Sequence, residues 1–529
     1  MPSAHQRRPL ILVALLLAAF AINLDTTIVN VALPTLVREL HASTTELEWI
    51  VDAYNLVFAA LVLAAGNLGD RLGRKGVLLA GLAVFGVATI AGGLGTNPGQ
   101  LIAARAVMGL GAALIFPATL SLLTNVFTDR RERARAIGLW GATTGVGIAV
   151  GPIVGGWLLE RFSWSSVFFA LAPIAALAAA LVAVNVPTSR DPAAPPADRP
   201  GLVLSTPAMA LLIYTIIEAP NHGWASARTV VGFILALSLL AAFVAWERRA
   251  RAPMLDVGLF RNLRFSAASG SVTIAFFSLM GFIFLVTLYF QFLKGYGPLS
   301  TGVRLLPVAT LVGITSVAGT RLAVRSGTKL VVAAGLVSLA AGLAWTSSAS
   351  DGTSYLTIAG QMVLIGSGIG LTSAPATESI MGAVPAAKAG VGSAINDATR
   401  ILGATLGVAV IGSVYASLYS SRLDQALPQD LPSSVAAVAH KSVGGAFQTA
   451  AQLDAAHHTA LSRLLHDAAS TAFFHGFSVA CLVAAGVALI GAALAAVLIP
   501  AQPPRGAEPL PAQPTSACDA PCSQHAETA

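Results

Sequence analysis

Three ionisable residues stand inside apolar runs of this chain, where a charge is costly and usually functional: Asp25, Asp52 and Arg105. Asp25 lies about seven residues, or roughly 10 Å, from the outer end of its run, and Asp52 and Arg105 lie roughly 5–8 Å deep in theirs. The three can therefore share one layer. Burial favours a neutral acid and a neighbouring guanidinium favours the anion, so a carboxyl under both pulls can bind and release protons near neutrality. Asp25 is expected to be a proton or cation site, with a structural ion pair to Arg105 as the alternative. Asp52, closer to the interface, is an equal candidate for either role, and Arg105 suits coupling better than substrate contact. On a helical wheel Asn23, Thr26, Thr27 and Asn30 share one face and Asp25 lies nearly opposite. Either Asp25 sees a cavity while the amides and hydroxyls pack helices, or the reverse.

A second cluster is Gly66-Asn67-Leu68-Gly69-Asp70-Arg71-Leu72-Gly73-Arg74-Lys75, a glycine-spaced run of charges between two apolar segments. Asp70 can accept from the N–H groups that start the next helix or pair with a basic group of another helix. Topogenic charge explains Arg71, Arg74 and Lys75 but not Asp70 or the glycines, and the segment reads as an inner latch. Gly141, Gly145, Gly147, Gly151, Gly155 and Gly156 form a face of small residues suited to close helix packing, with Pro152 marking a helix that bends or slides. Glu218, Asp397 and Asn30 are candidate substrate or cation contacts. Glu218 can instead snorkel at a helix end, and Asp397 can cap the helix it precedes. Phe276, Phe277, Phe282, Phe284, Tyr289 and Phe290 suit either a greasy pocket or a lipid-facing surface, the latter expected for half of them.

The elements that must position these residues follow from composition. The chain has 529 residues, 55% hydrophobic and only 10% charged, with a mean hydropathy of +0.76; a soluble domain is nearer a quarter charged. Apolar runs predict about fourteen membrane helices, near 10–32, 49–68, 77–95, 101–126, 136–157, 166–186, 201–218, 228–246, 265–292, 302–323, 330–349, 355–381, 398–419 and 471–499. Most of the 31 Lys and Arg fall on one side, Lys388 and Arg400 counted among them, so both termini are expected to be cytoplasmic. The first run is too long and polar for a cleaved leader and reads as a retained helix. The net charge of +7 sits in short loops without aromatic interleaving, so no nucleic-acid partner is expected. Cys481, Cys518 and Cys522 imply no disulfide framework or metal site.

The chain repeats internally. Arg71-Leu72-Gly73-Arg74-Lys75 returns as Arg325-Ser326-Gly327-Thr328-Lys329, Pro117-Ala118-Thr119 as Pro375-Ala376-Thr377, and Gly141-Ala142-Thr143-Thr144-Gly145-Val146 as Gly403-Ala404-Thr405-Leu406-Gly407-Val408. The offsets are 254, 258 and 262, and Val324 stands where the first copy has Asp70. These matches divide the chain into a six-helix half (1–190), a two-helix insert with linkers (191–260), a second half (261–500) and a disordered cytoplasmic tail (501–529). The second half includes a long outer loop, 421–470, partly amphipathic helix. Parallel repeats of this kind build a midplane site and rock about it.

With those motifs in place the chain resembles the major facilitator superfamily, specifically its fourteen-span drug–proton antiporter branch of multidrug and quaternary-ammonium pumps. The resemblance rests on Gly66–Lys75, on Leu24-Asp25-Thr26-Thr27-Ile28-Val29-Asn30-Val31-Ala32-Leu33-Pro34, and on Gly147-x3-Gly151-Pro152-x2-Gly155-Gly156. It rests also on Arg105-x3-Gly109-x-Gly111, Asp52 within Trp49–Tyr54, and Glu218 ahead of Gly223-Trp224. It implies an all-α exporter of lipophilic, cationic drugs by alternating access in a bacterial cell membrane. Such an exporter uses no cofactor beyond the proton gradient and has a small-molecule substrate and the lipid bilayer as partners, working as a monomer. Two departures weaken a dicationic substrate: Leu306–Ser316 holds no acid, and Asn396-Asp397 stands where some relatives carry paired acids. The alternative is a dedicated exporter of one endogenous metabolite, self-made antibiotic or lipid. A membrane enzyme or nucleotide-driven pump is disfavoured by the lack of a metal cluster, serine nucleophile motif or phosphate loop, and a channel by the repeat.

Overall fold

The computed structural model describes residues 4–40, 44–190, 198–250, 253, 255, 257–385, 388–427, 439, 443–455 and 457–500. Among these, fourteen helices are long and apolar enough to cross a membrane. They are α1 (Ala4–Leu40), α2 (Thr44–Leu72), α3 (Arg74–Gly93), α4 (Pro98–Val126), α5 (Arg130–Arg161), α6 (Ser165–Asn185, interrupted at Ala170) and the insert pair α7 (Arg199–His222) and α8 (Ala227–Glu247). There follow α9 (Leu263–Leu288, prolonged by a π turn to Leu293), α10 (Leu306–Ser326), α11 (Thr328–Thr346), α12 (Tyr355–Gly382), α13 (Ala389–Ala426) and α14 (Thr459–Leu498). In the loop before α14 a short helix, Val443–Ala455, stacks Phe447 on His466 of α14. The tail with Cys518 and Cys522 lies outside the described residues.

Local chemistry sets the helix ends. Asn97 accepts from Gln100 N–H ahead of Pro98, Ser226 from Thr229 and Ser354 from Thr357, each satisfying a donor the helix cannot. Asp129 accepts from Glu132 and Arg131 N–H at the start of α5, which holds its carboxyl below the usual range. Gly73 (φ 111°) and Gly327 (φ 96°) turn the chain between α2 and α3 and between α10 and α11, a backbone region that only glycine adopts freely. The repeat is thus reproduced in dihedral angles as well as in residues.

Buried apolar side chains form two separate clusters. Among the described residues, one is built from α1–α6 with Met381 of α12 and Ala389, Ala394 and Ala398 of α13 added from the second half, and the other mainly from α9–α14. The insert contributes Met209 to the first and Phe243 to the second, so it sits beside both halves. Phe282, Tyr289 and Phe290 are fully buried, and Phe276 and Phe277 nearly so. The lipid-facing expectation for half of the α9 aromatics is therefore corrected. Tyr289 stacks on Phe473 of α14 (6.4 Å between centroids), because α14 covers that face of α9.

The glycines of α5 occupy two faces rather than one. A Cβ at Gly147, Gly151 or Gly155 would strike Asn23, Thr27 or Ile28 of α1, in the same half. At Gly145 it would strike Ala309 and Gly313 of α10, at Gly141 press on Ala374 of α12, and at Gly156 press on Leu299, all in the other half. On α13, Gly403 and Gly407 press on Thr273 and Phe277 of α9, within their own half. Gly403 and Gly407 therefore correspond to Gly147 and Gly151, an offset of 256. The sequence match at 262 is six residues, about one and two-thirds turns, out of structural register, because small residues recur along both helices.

Candidate functional site

Asp25 of α1 and Arg105 of α4 meet inside the first half. Arg105 Nη1 donates to Asp25 Oδ1 and Oδ2 at 2.8 and 2.7 Å, and both residues are buried. Arg105 Nε donates to the Ile50 carbonyl of α2 at 2.9 Å, and the guanidinium lies 4.3 Å from the Tyr54 ring centroid. The spacing of the Arg105 motif explains how this is reached. A Cβ at Gly109 would collide with the Tyr54 backbone of α2, and one at Gly111 with the Phe85 backbone of α3, so bare glycines let both helices close on α4. Asp52 sits half-buried two residues beyond Ile50, and the Arg105 hydrogen bonds go to Asp25 and Ile50.

The opposite face of α1 packs rather than opens. Asn23 Nδ2 donates to Thr143 Oγ1 (3.1 Å), and Thr27 Oγ1 donates to the Gly147 carbonyl (2.8 Å), tying α1 to α5. The Asn30 side chain lies outside the described residues.

The glycine-spaced loop closes one end of the molecule, the basic end. Asp70 receives Arg74 (Nη2 at 2.6 Å, Nε at 2.8 Å) and, from the other half, the backbone N–H of Gly390 (2.9 Å) and Val391 (3.1 Å). Its N–H donors thus belong to the start of α13, not to the start of the next helix, α3, as one alternative had it. A carboxylate at a helix N-terminus meets orphan donors and the positive end of the dipole. Gly66 and Gly390 permit this, since a Cβ on either would enter the other's backbone. Arg74 N donates to Ser189 O (2.9 Å) and Lys75 Nζ to Ala183 O (2.8 Å), anchoring the loop to the end of α6, while the buried Arg71 Nε has no partner among the described residues. Arg133 of α5 and Glu378 of α12, 3.9 Å apart, also bridge the halves at this end.

Sequence reasoning misplaced one group. The thirteenth helix begins at Ala389, nine residues before the expected 398, so Asp397 is two turns inside it and caps nothing. Arg400, counted with the loop charges, is buried eleven residues in, about 16 Å from the helix start. Small residues through Gly390–Ala394 let this polar stretch pack against α2 and α4 instead of leaving the membrane. Thr377 donates to Asn396 Oδ1 (2.8 Å), and Asn396 Nδ2 donates to Asp397 Oδ1 (3.3 Å). The same threonine of the first copy, Thr119, accepts from Trp140 Nε1 of α5 (3.1 Å). Arg400 Nη2 donates to Thr144 Oγ1 of α5 at 3.0 Å. The i, i+3 spacing of Asp397 and Arg400 was the signal available in the sequence.

Glu218 lies outside both sets. Its carboxylate is 3.3 Å from His222 Nδ1, and Arg228 reaches His222 (2.7 Å) and Tyr214 (2.9 Å), a network within the insert. Trp224 Nε1 donates to Ser413 of α13, joining the insert to the second half.

Comparison with known proteins places this architecture. A family model described as Major Facilitator Superfamily matches residues 15–408. The chain is 35% identical over 486 residues to the multidrug efflux pump LfrA of Mycolicibacterium smegmatis, covering 92% of this chain and 95% of that one. It is 33% identical over 502 residues to the tetracenomycin C resistance and export protein of Streptomyces glaucescens, covering 93% and 92%. Among solved structures, the human organic anion transporter MFSD10 (TETRAN) matches with a TM-score of 0.58 at 14% identity, covering 94% of this chain and all of that one, a likeness of fold.

Proposed function

The chain belongs to the major facilitator superfamily, and from that premise we propose that it exports lipophilic drugs across a bacterial cell membrane in exchange for protons. It is a multi-pass membrane protein of a transporter family, which points to transport rather than catalysis. The similarity to a multidrug efflux pump and to a resistance and export protein supports the drug half of the reading. The buried Asp25–Arg105 pair carries the proton half. Asp25 is the proton carrier and Arg105 its switchable counterion: protonation removes the attraction and frees the guanidinium, held between α1, α2 and α4, to realign those helices. The basic end faces the cytoplasm, with both termini, by the bias of Lys and Arg. The Asp70 contact with α13 then shuts the cytoplasmic side, and its release opens that side to drug. Gly145 lets α5 slide on α10, and Gly141 lets it pass α12, as the halves rock.

Dye efflux from loaded cells tests this. Native protein is expected to clear ethidium, to stop when a protonophore is added, and to be disabled by Asp25→Asn. Efflux that survives the protonophore would sink the coupling. Similarity to a protein named for one antibiotic favours a second reading, export of a single compound. In that case ethidium would not move while one antibiotic would.

A further inference from the structure

Arg400 and Thr144 are 256 residues apart, the same offset that relates Gly147 to Gly403 and Gly151 to Gly407. They are therefore counterparts in the two halves, and residues that meet their own counterpart lie at the pseudo-twofold axis. Their depth along α5 and α13 puts them near the midplane, where parallel-repeat transporters hold substrate. Here the chain places a buried cation ringed by aromatic faces. The Arg400 guanidinium carbon is 4.5 Å from the ring centroid of Phe276, 5.0 Å from Phe116 and 5.1 Å from Trp140, two rings from the first half and one from the second.

This set is incompletely bonded. Arg400 Nη1 and Asp397 Oδ2 are buried and have no protein partner among the described residues. Buried charged groups in low dielectric are costly unless their hydrogen bonds are made. Asp25 and Arg105 need no ligand, because they satisfy each other. Arg400 and Asp397 retain one free donor and one free acceptor on a single helix face, one turn apart. A guanidinium gives planar, charge-assisted bonds to an anionic or strongly polarised oxygen, and its surrounding rings would stack on a flat substrate.

We propose that Arg400 is a substrate-reading residue, whose free Nη1 binds an acidic or carbonyl oxygen of a planar aromatic drug that packs against the aromatic cluster of Phe116, Trp140 and Phe276. Asp397 accepts an O–H or N–H of the same molecule. The proposal rests on the export reading for its physiological meaning, and it departs from the expectation of a purely cationic substrate.

The test uses full-length protein in lipid nanodiscs and two xanthene dyes of similar shape and opposite charge, fluorescein (anionic) and rhodamine 123 (cationic), titrated by fluorescence anisotropy. Native protein is expected to bind fluorescein. Arg400→Gln is expected to weaken fluorescein at least tenfold while changing rhodamine 123 less than threefold, and Arg400→Lys to recover part of the loss. Should Arg400→Gln not fold, Arg400→Lys serves alone, with at least a threefold loss confined to fluorescein. No fluorescein binding by native protein, equal loss of both dyes, or no loss of fluorescein would each overturn the proposal. Failure of the export reading would be distinct: the dye selectivity would stand while efflux ignored the protonophore.

Discussion

The two buried sets of Asp and Arg solve the same electrostatic problem in opposite ways. Asp25 and Arg105 lie in one half, touch through two short hydrogen bonds and give the remaining Nε to a backbone carbonyl. Asp397 and Arg400 lie one turn apart on one helix, and Arg400 reaches across to Thr144 of the other half, leaving a donor and an acceptor unspent. A closed pair can change state only by gaining or losing a proton. An open pair at the seam can change state by taking up a molecule. That difference assigns the energy source to the first half and the cargo to the seam.

Removing one guanidinium at a time is expected to separate the two sets most strongly. Arg105→Gln leaves Asp25 buried and unpaired and is expected to cost about 3–5 kcal/mol. Arg400→Gln gives up one charge-assisted bond and its ring contacts but also relieves an unmet donor, so about 1–2 kcal/mol is expected. Thermal unfolding in detergent separates the two; equal losses would erase the distinction. The glycines at and away from the seam differ as well. Gly145→Ala and Gly407→Ala each force a methyl into a helix backbone, with about 1–3 kcal/mol of overpacking expected. Only Gly145→Ala wedges α5 from α10 across the seam, so efflux is expected to fall several-fold there at a stability loss shared by both.

A smaller effect concerns the basic end. Asp70→Asn keeps the shape but removes the charge facing Arg74 and the start of α13, about 1–2 kcal/mol of latch. Spin labels at Leu72 and Leu330, both exposed, are expected to report a longer mean distance in the variant. An unchanged distribution would remove the latch role. Least of all, Thr377→Val is expected to cost about 1 kcal/mol by freeing Asn396, the neighbour of Asp397, and to disturb dye binding more than Thr119→Val, whose hydroxyl bonds only Trp140 and the Phe116 carbonyl of its own helix.

Hydropathy and loop charge made the fourteen spans legible, and the repeat was legible because Gly73 and Gly327 must turn the same corner. The Asp25–Arg105 layer could be read from depth, since two charges in separate apolar runs need each other. What stayed hidden was α13 and its Arg400. A window of residues cannot tell a charged helix start from a charged helix interior when the stabilising partners, Thr377, Thr144 and three aromatic rings, lie on four other helices. Glycine spacing likewise suggested one packing face on α5, because periodicity counts small residues and does not say which neighbour each one admits.

Proton release on substrate binding tests the division of labour most directly. Purified protein in weakly buffered solution near pH 7, with a pH-indicating dye, would be mixed with a transported drug. The native protein and Asp397→Asn are expected to release protons in step with the drug bound, whereas Asp25→Asn is expected to bind without release. Release that persists in Asp25→Asn and vanishes in Asp397→Asn would contradict the account, moving the proton to the seam.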